Sequence, residues 1–537
     1  MTHTQNEPKF DFDVLVVGAG IAGIYLLYRL RKSNFKVCVF EAGSNIGGTW
    51  YWNCYPGARC DVDSFYYSYQ FDEKLEQDWD WTERYASQPE ILSYLNYVVK
   101  RFNLRDGIKL NTKITAARYD EEQGAWEVED ETGKSTKATY CVMATGCLSA
   151  PNIPNIDGLG SFLGDIYHTS KWPHDLVNFS ELRVGVIGTG STAVQIIPEI
   201  AKQASQLTVF QRTANYVLPA NNRPLTEAEI RKTKQSYSTL RRDAKKTFGG
   251  FNTQQNEALA TESTPEEREI EYEKRWQSGG IGFLSAFSDL TTDENANKTA
   301  QDFVRKKICE IVTDPKIAEL LLPNNIIGCK RISLDSGYFQ TFNKNNVALI
   351  DISKIPITSV TPNGVKVGKE EFRLDSLVMA TGFDAMTGSL LRIDIRGREG
   401  LTLKEKWETG PLTFLGLATE HFPNLFFVTG PGSPSVLSNM VPSIEQHVEW
   451  ISDCLTSMKA NGLKTIEAEL TAETEWVKHV EEIASKTLRY KCASWYLGTN
   501  IPEKPRVFMP YIGGMPAYRE KCDTTAKCNY LGFRLSP

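Results

Sequence analysis

Two stretches of this 537-residue chain read as the same supersecondary unit, and that duplication restricts the folds open to it more than any other feature. The first begins FDVLVVGAGIAGIYLLYRLRK. An apolar strand, Val14 to Val17, runs into Gly18-Ala-Gly20-Ile-Ala-Gly23, then a helical pattern, then a second strand, Val37 to Phe40, ending at Glu41. The second begins LRVGVIGTGSTAVQIIPEI. A strand, Val184 to Ile187, meets Gly188-Thr-Gly190-Ser-Thr-Ala193, a helix and another strand, Leu207 to Phe210. In such a turn the glycines allow a tight reversal, close backbone approach to a pyrophosphate and close packing of helix on strand. The helix N-terminus adds unpaired N–H groups and the positive end of a dipole. A second echo supports the duplication: Val142-Met-Ala-Thr-Gly146 recurs letter for letter as Val378-Met-Ala-Thr-Gly382.

The two copies want different nucleotides. Glu41 ends the second strand of the first copy, where a carboxylate accepts hydrogen bonds from ribose hydroxyls, so this copy reads as FAD-binding. The same offset in the second copy lands on Gln211, followed by Arg212 and Thr213. A carboxylate would repel a 2′-phosphate; an arginine binds it. One charge-assisted hydrogen bond, about 1.5–3 kcal/mol, gives roughly ten- to hundredfold preference for NADPH over NADH. The second copy therefore reads as NADP-binding.

The expected fold class is α/β, with two Rossmann-like dinucleotide-binding domains, for FAD and NADP, and a helical insertion. Residues 221–329 are charged, helix-favouring and spaced by threes and fours, with breaks at Gly249-Gly250 and Gly279-Gly280. The FAD domain is expected over 1–145 and 385–537, the NADP domain over 150–220 and 330–384, and the insertion over 221–329. Apolar content of 41% and charged content of 23% are those of a globular protein, and a net charge of −6 argues against nucleic acid as partner. The polar N-terminus (MTHTQNEPKFDF) is no secretory signal, and no apolar run is long enough to span a bilayer. The eleven cysteines contain no C-x2-C pair, which suits free thiols in a reducing cytoplasm. The six histidines show no metal-ligand spacing, so no metal is expected. A monomer is compatible with the sequence, which leaves the oligomeric state open.

The segment GGTWYWNCYPGARCDVDS (47–64) follows the FAD ribose strand and suits a loop lining a flat ring. Cys54 and Cys60 raise the rival idea of a disulfide reductase, but those enzymes place C-x4-C on one helix, and five residues intervene here, including Pro56 and Gly57. Between the two copies, Phe162, Gly164, His168, Trp172 and Pro173 form F-x-G-x-x-x-H-x-x-x-W-P. A histidine met alone in a linker is more often a structural group. This pattern resembles that of the type I Baeyer–Villiger monooxygenases, and the likeness runs along nearly the whole chain. Within the family it is nearest the phenylacetone monooxygenase type, through ARCD, GCKR, GPGSPSVLSNM, SIEQHVEW and ASWY.

The resemblance implies an NADPH- and O2-dependent enzyme that turns small-molecule ketones into esters or lactones through a C4a-peroxyflavin. It implies that Asp61 holds Arg331 at the flavin, that His168 couples cofactor binding to domain motion, and that Thr49, Trp50, Tyr51, Trp52, Val62, Tyr67, Ile114 and Met440 contact FAD. Thr189, Gly190, Ser191, Thr192, Ala193, Gln195, Arg212, Thr213, Lys330 and Trp495 would contact NADP; Ser435, Val436 and Leu437 would border the substrate. Residues 485–500 and the linker are the expected mobile caps. An N- or S-oxygenating flavin monooxygenase is the alternative, and Trp172-Pro173 and Arg331 favour the ketone reading.

Overall fold

A computed structural model describes residues 10–537; the polar N-terminal stretch read above lies mostly outside them. Each glycine motif stands at the centre of its own sheet. The first sheet runs, edge to edge, Asp394–Arg396, Ile114–Asp120, Ala125–Asp130, Ser135–Met143, Phe12–Val17, Val37–Phe40 and Ile108–Lys109, with Leu425–Phe427 also paired to Ser135–Met143. Around Phe12–Val17 all pairings are parallel. Val14 to Val17 are buried on both faces, as expected of a continuous apolar run inside a parallel sheet. The second sheet is parallel throughout, in the order Val347–Asp351, Gln206–Gln211, Arg183–Ile187, Ser376–Met379, Asp165–His168.

The five-residue echo has a common physical cause. After each strand the Ala-Thr-Gly turn crosses over the first glycine of its motif. A Cβ on Gly18 would lie 2.5 Å from the Ala144 carbonyl oxygen, and one on Gly188 would lie 2.4 Å from that of Ala380. Both glycines also have positive φ, +107° and +114°. Each turn therefore needs glycine twice over, for sterics and for backbone conformation.

The insertion is helical, with Glu227–Ala244, Pro265–Ser278, Glu294–Ile311 and Pro315–Leu321. Capping boxes at Thr226/Glu229 and Thr264/Glu267 start the first two. Tyr272, Phe283, Phe287 and Phe303 join the core that includes Val184, Val186 and Leu207, so these helices pack with the second sheet. The C-terminal part supplies two strands to the first sheet. Its long helix, Met440–Ala460, lies against Ile21–Lys32, where Tyr25 donates to Glu449 and Arg29 pairs with Asp453. One expectation fails: Cys329 and Cys492, 163 residues apart, are joined in a disulfide with Cα atoms 5.8 Å apart. Pairing across so long a separation leaves no spacing signal in the sequence.

Candidate active site

Each helix that follows a glycine motif starts without a side-chain cap, at Gly20 for Ile21–Lys32 and at Gly190 for Ser191–Ile200. Their first N–H groups are thus left for a ligand. No atom lies within 4 Å of where a Gly190 Cβ would be, and a Cβ on Gly48 would fill the gap against Gly20, 2.9 Å from its Cα. Both are cradles that fit a pyrophosphate. Glu41, buried, is held at the strand end by N–H groups of Ala19 and Gly43, each 2.8 Å away, and Ile114 is packed in the cluster that includes Val17 and Phe40. Gly23 has no room for a side chain, since a Cβ there would sit 1.9 Å from the Gly18 carbonyl oxygen.

The 47–64 segment opens with a short helix, Thr49–Trp52, in which the Trp50 indole donates to the Tyr67 hydroxyl at 3.1 Å and the Tyr51 hydroxyl meets Ser44. It ends at Asp61 and Val62. Asp61 takes the Arg331 guanidinium as a fork: Nε donates to Oδ2 at 2.5 Å and Nη2 to Oδ1 at 2.8 Å. The third edge of the guanidinium, Nη1, donates to the Val436 carbonyl at 2.7 Å, so one side chain joins three segments far apart in sequence. Burial works against the Arg331 charge, but Asp61 overcomes it and raises the pKa. The guanidinium is a fixed cation.

Lys330, next to Arg331 in the chain, is half-buried. With Asn215, Tyr216, Asn325, Gly328 and Arg331 it lines a small cleft. Burial lowers its pKa and Arg212 lowers it further. Neither Lys330 nor Arg212 has an ion-pair partner among the described residues, an arrangement that fits a phosphate between them. Thr189 donates to the Thr213 carbonyl and Ser191 meets Ser333, which fixes the turn beside Arg212. Ala193 is fully buried, and Thr192 is half-buried on the first turn of the helix. Gln195 is committed elsewhere: its amide donates to the Arg59 carbonyl and accepts from the Tyr55 hydroxyl, which ties the second helix to the 47–64 segment. Cys54, donating to the Trp172 carbonyl, ties the same segment to the linker.

Ser435 is fully buried with φ of +43° and donates to Cys147; Val436 and Leu437 share an apolar cluster with Met440, Trp495 and Tyr496. His168 is not brought to the Arg331–Asp61 pair. It ends the edge strand of the second sheet, its Nδ1 bonded to Ser170 and its Nε2 facing the Thr381 hydroxyl of the repeated turn at 3.3 Å. Burial lowers its pKa. Three features had no sequence reading: Cys147 beside Ser435, Arg489 donating to the Gly328 carbonyl at 3.0 Å, and buried Asn297. Asn297 pairs reciprocally with the Ile327 backbone and so clamps the loop that carries Arg331. Cys147 directly follows the repeated Ala-Thr-Gly, and that position alone could have drawn notice.

Two dinucleotide cradles around a partly buried arginine define a class of flavin- and pyridine-nucleotide-dependent oxidoreductases. Residues 15–305 match the family described as pyridine nucleotide-disulphide oxidoreductase. Within that class, the chain is 41% identical over 530 residues to cyclohexanone 1,2-monooxygenase of an Acinetobacter species, covering 98% of this chain and 97% of that one. It is 41% identical to a phenazine N-monooxygenase of Lysobacter antibioticus over 98% and 97% of the two chains. The solved structure of an oxidized steroid monooxygenase bound to NADP superposes with a TM-score of 0.94 at 48% identity, covering 98% and 99%. The chain belongs to the Baeyer–Villiger monooxygenases.

Proposed function

We infer that this chain is an FAD-containing, NADPH- and O2-dependent Baeyer–Villiger monooxygenase that converts small-molecule ketones to esters or lactones. When bound, FAD takes electrons from NADPH and passes them to O2. The chain's own residues do the rest. Gly18, Gly20 and Glu41 seat one nucleotide; Gly190, Arg212, Thr213 and Lys330 seat the other, with the two unpaired cations selecting the 2′-phosphate. Thr49 to Trp52, Val62, Tyr67 and Met440 shape the flavin side, and Ser435 to Leu437 border the ketone.

The observation that carries the reading is the Asp61–Arg331 fork. Oxygen insertion places negative charge on the ketone oxygen under attack. A guanidinium that cannot lose its proton is the group to hold that charge, and Asp61 fixes where it points. Water must be excluded, since activated oxygen otherwise leaves as hydrogen peroxide; residues 485–500 and the linker are the covering segments. His168, bonded within the second sheet, serves that linker as a conformational residue and moves no proton at the ketone. The domain limits are those given above, with 221–329 as an insertion into the NADP domain. We place the enzyme in the cytoplasm, with a monomer as the working assembly.

Purified holoenzyme tested against cyclic, linear and aryl ketones is expected to consume NADPH in a ketone-dependent way and to release ester or lactone. No ketone-dependent consumption and no ester would overturn the reading. Arg331→Ala is expected to keep flavin reduction by NADPH and to lose oxygen insertion. The similarity to a phenazine N-monooxygenase supports a second reading, oxygenation of an aromatic nitrogen. N-oxide product from a heteroaromatic amine, with no ester from any ketone, would select it.

A further inference from the structure

The loop carrying Arg331 is covalently bound to the segment carrying Trp495, and the chemistry described above makes no use of that bond. Cys329 lies two residues before Arg331, and Cys492 three before Trp495. Both are buried, at 2% and 6% exposure. Beside the sulfurs, Arg489 Nε donates to the Gly328 carbonyl at 3.0 Å, while the same segment meets the start of the Glu294–Ile311 helix through the Leu488 N–H on the Thr291 carbonyl at 2.9 Å and through Lys491 on exposed Glu294. The far side of the loop is fixed regardless, by Asn297 on Ile327 and by Asp61 on Arg331. On the Trp495 side, buried Tyr496 and Leu497 and the Met509 N–H, which donates to the Tyr496 carbonyl at 2.9 Å, hold the end of the segment, and the 489–493 stretch before it is what the bond ties down.

We propose that Cys329 and Cys492 form a peroxide-responsive latch that fixes the 488–497 segment against the Arg331 loop and thereby holds the site closed to water. The inference rests on the monooxygenase reading, because that chemistry supplies the oxidant. Oxygen activated without transfer to substrate leaves as hydrogen peroxide in the same cleft. One cysteine thiolate attacks the peroxide: an S–O bond forms, the O–O bond breaks, and the departing hydroxide takes a proton to become water. The second thiol then attacks that sulfenic sulfur. The S–S bond forms, the S–O bond breaks, and a second water leaves. Two thiols are oxidised by two electrons, and one peroxide is reduced to two waters. A dithiol reductant reverses the bond. Poor coupling thus generates the signal that closes the site, and closure restores coupling.

The test uses full-length holoenzyme reduced with dithiothreitol, desalted, and divided into samples with and without hydrogen peroxide. Thiols titrated after denaturation are expected to number eleven in the reduced sample and nine in the oxidised one, the difference of two being the 329–492 pair. Proteolysis within 485–500 should be slower after oxidation. Ester formed per NADPH consumed should rise roughly two- to fivefold, since small displacements of a positioning group cost rate steeply. Cys492→Ser should remain at the reduced level in both samples, whereas Cys528→Ser, altering an exposed free cysteine, should respond like the parent. Eleven thiols after peroxide would overturn the proposal, as would a pair that forms without altering either proteolysis or coupling. If the thiol count and the proteolysis change but no ketone yields ester in either state, the latch stands and the monooxygenase reading falls.

Discussion

Asp61→Asn separates the placement of Arg331 from its charge. The substitution keeps size and shape but leaves one oxygen and one NH2 facing a guanidinium that offers only donors. One of the two bonds, now 2.5 and 2.8 Å, becomes a neutral bond, at a loss of about 1 kcal/mol; the other becomes donor against donor, at a loss of about 1.5–3 kcal/mol. Both side chains are about a quarter exposed, at 26% and 27%, and water repays part of that loss. About 2 kcal/mol remains, or roughly thirtyfold in the rate of oxygen insertion. In the proposed division of labour, hydride transfer to the flavin does not draw on this pair. Stopped-flow flavin reduction should therefore change by less than about twofold, while ester measured by gas chromatography falls and peroxide per NADPH rises. Ester formation within about threefold of the parent, or a parallel fall in flavin reduction, would refute the assigned division of labour.

Arg212→Ala should raise KM for NADPH by roughly ten- to hundredfold and leave NADH nearly unchanged, as read from initial rates with each nucleotide. Asn297→Ala leaves the N–H and C=O of buried Ile327 without their partner. At about 1–3 kcal/mol for each orphaned group, urea unfolding should report a loss of around 3 kcal/mol, with more peroxide per NADPH because the Arg331 loop is loosened. Glu445, buried in the long C-terminal helix beside Glu449, has its pKa raised by burial from 4.5 to about 8. The folded state keeps this proton to higher pH than the unfolded state, so stability from this group is full below pH 4.5 and lost as pH rises toward 8. Glu445→Gln keeps the oxygen that accepts from the Gln70 N–H and should flatten unfolding midpoints between pH 5 and 9; an unaltered slope would exclude Glu445 as the source.

Local signals carried the architecture. The glycine turns, the strands entering them and the helical insertion each follow from residues close together in sequence, and the boundaries Val37–Phe40 and Arg183–Ile187 differ little from the expected ones. In the site, Glu41 and Arg212 were read from their place at a strand end, whereas Lys330 and Arg331 came only from the likeness of GCKR to the family. Gln195 shows what a resemblance leaves out: it implied a cofactor contact, and gave no sign that tertiary packing bonds both ends of the amide to Arg59 and Tyr55. Asn297, Arg489 and the Cys329–Cys492 bond depend on closure of segments 30 to 163 residues apart, and no periodicity announces such partners.

Adjacent Lys330 and Arg331 explain why one loop needs so many restraints. Lys330 faces Arg212 and the second sheet, while Arg331 reaches across to Asp61 in the segment that follows the first. The cations differ in what satisfies them. Arg331 is paired and bonded on three nitrogens, so an incoming anion meets a guanidinium already aimed. Lys330 and Arg212 have no carboxylate partner among the described residues, and Arg212 disfavours the Lys330 charge, so a phosphate between them would stabilise both. A nucleotide phosphate is therefore expected at the unpaired cations rather than at Arg331. A shift of the loop by one residue would exchange these roles, which is a physical reason for Asn297, Asp61 and the 488–492 segment to grip it from three sides.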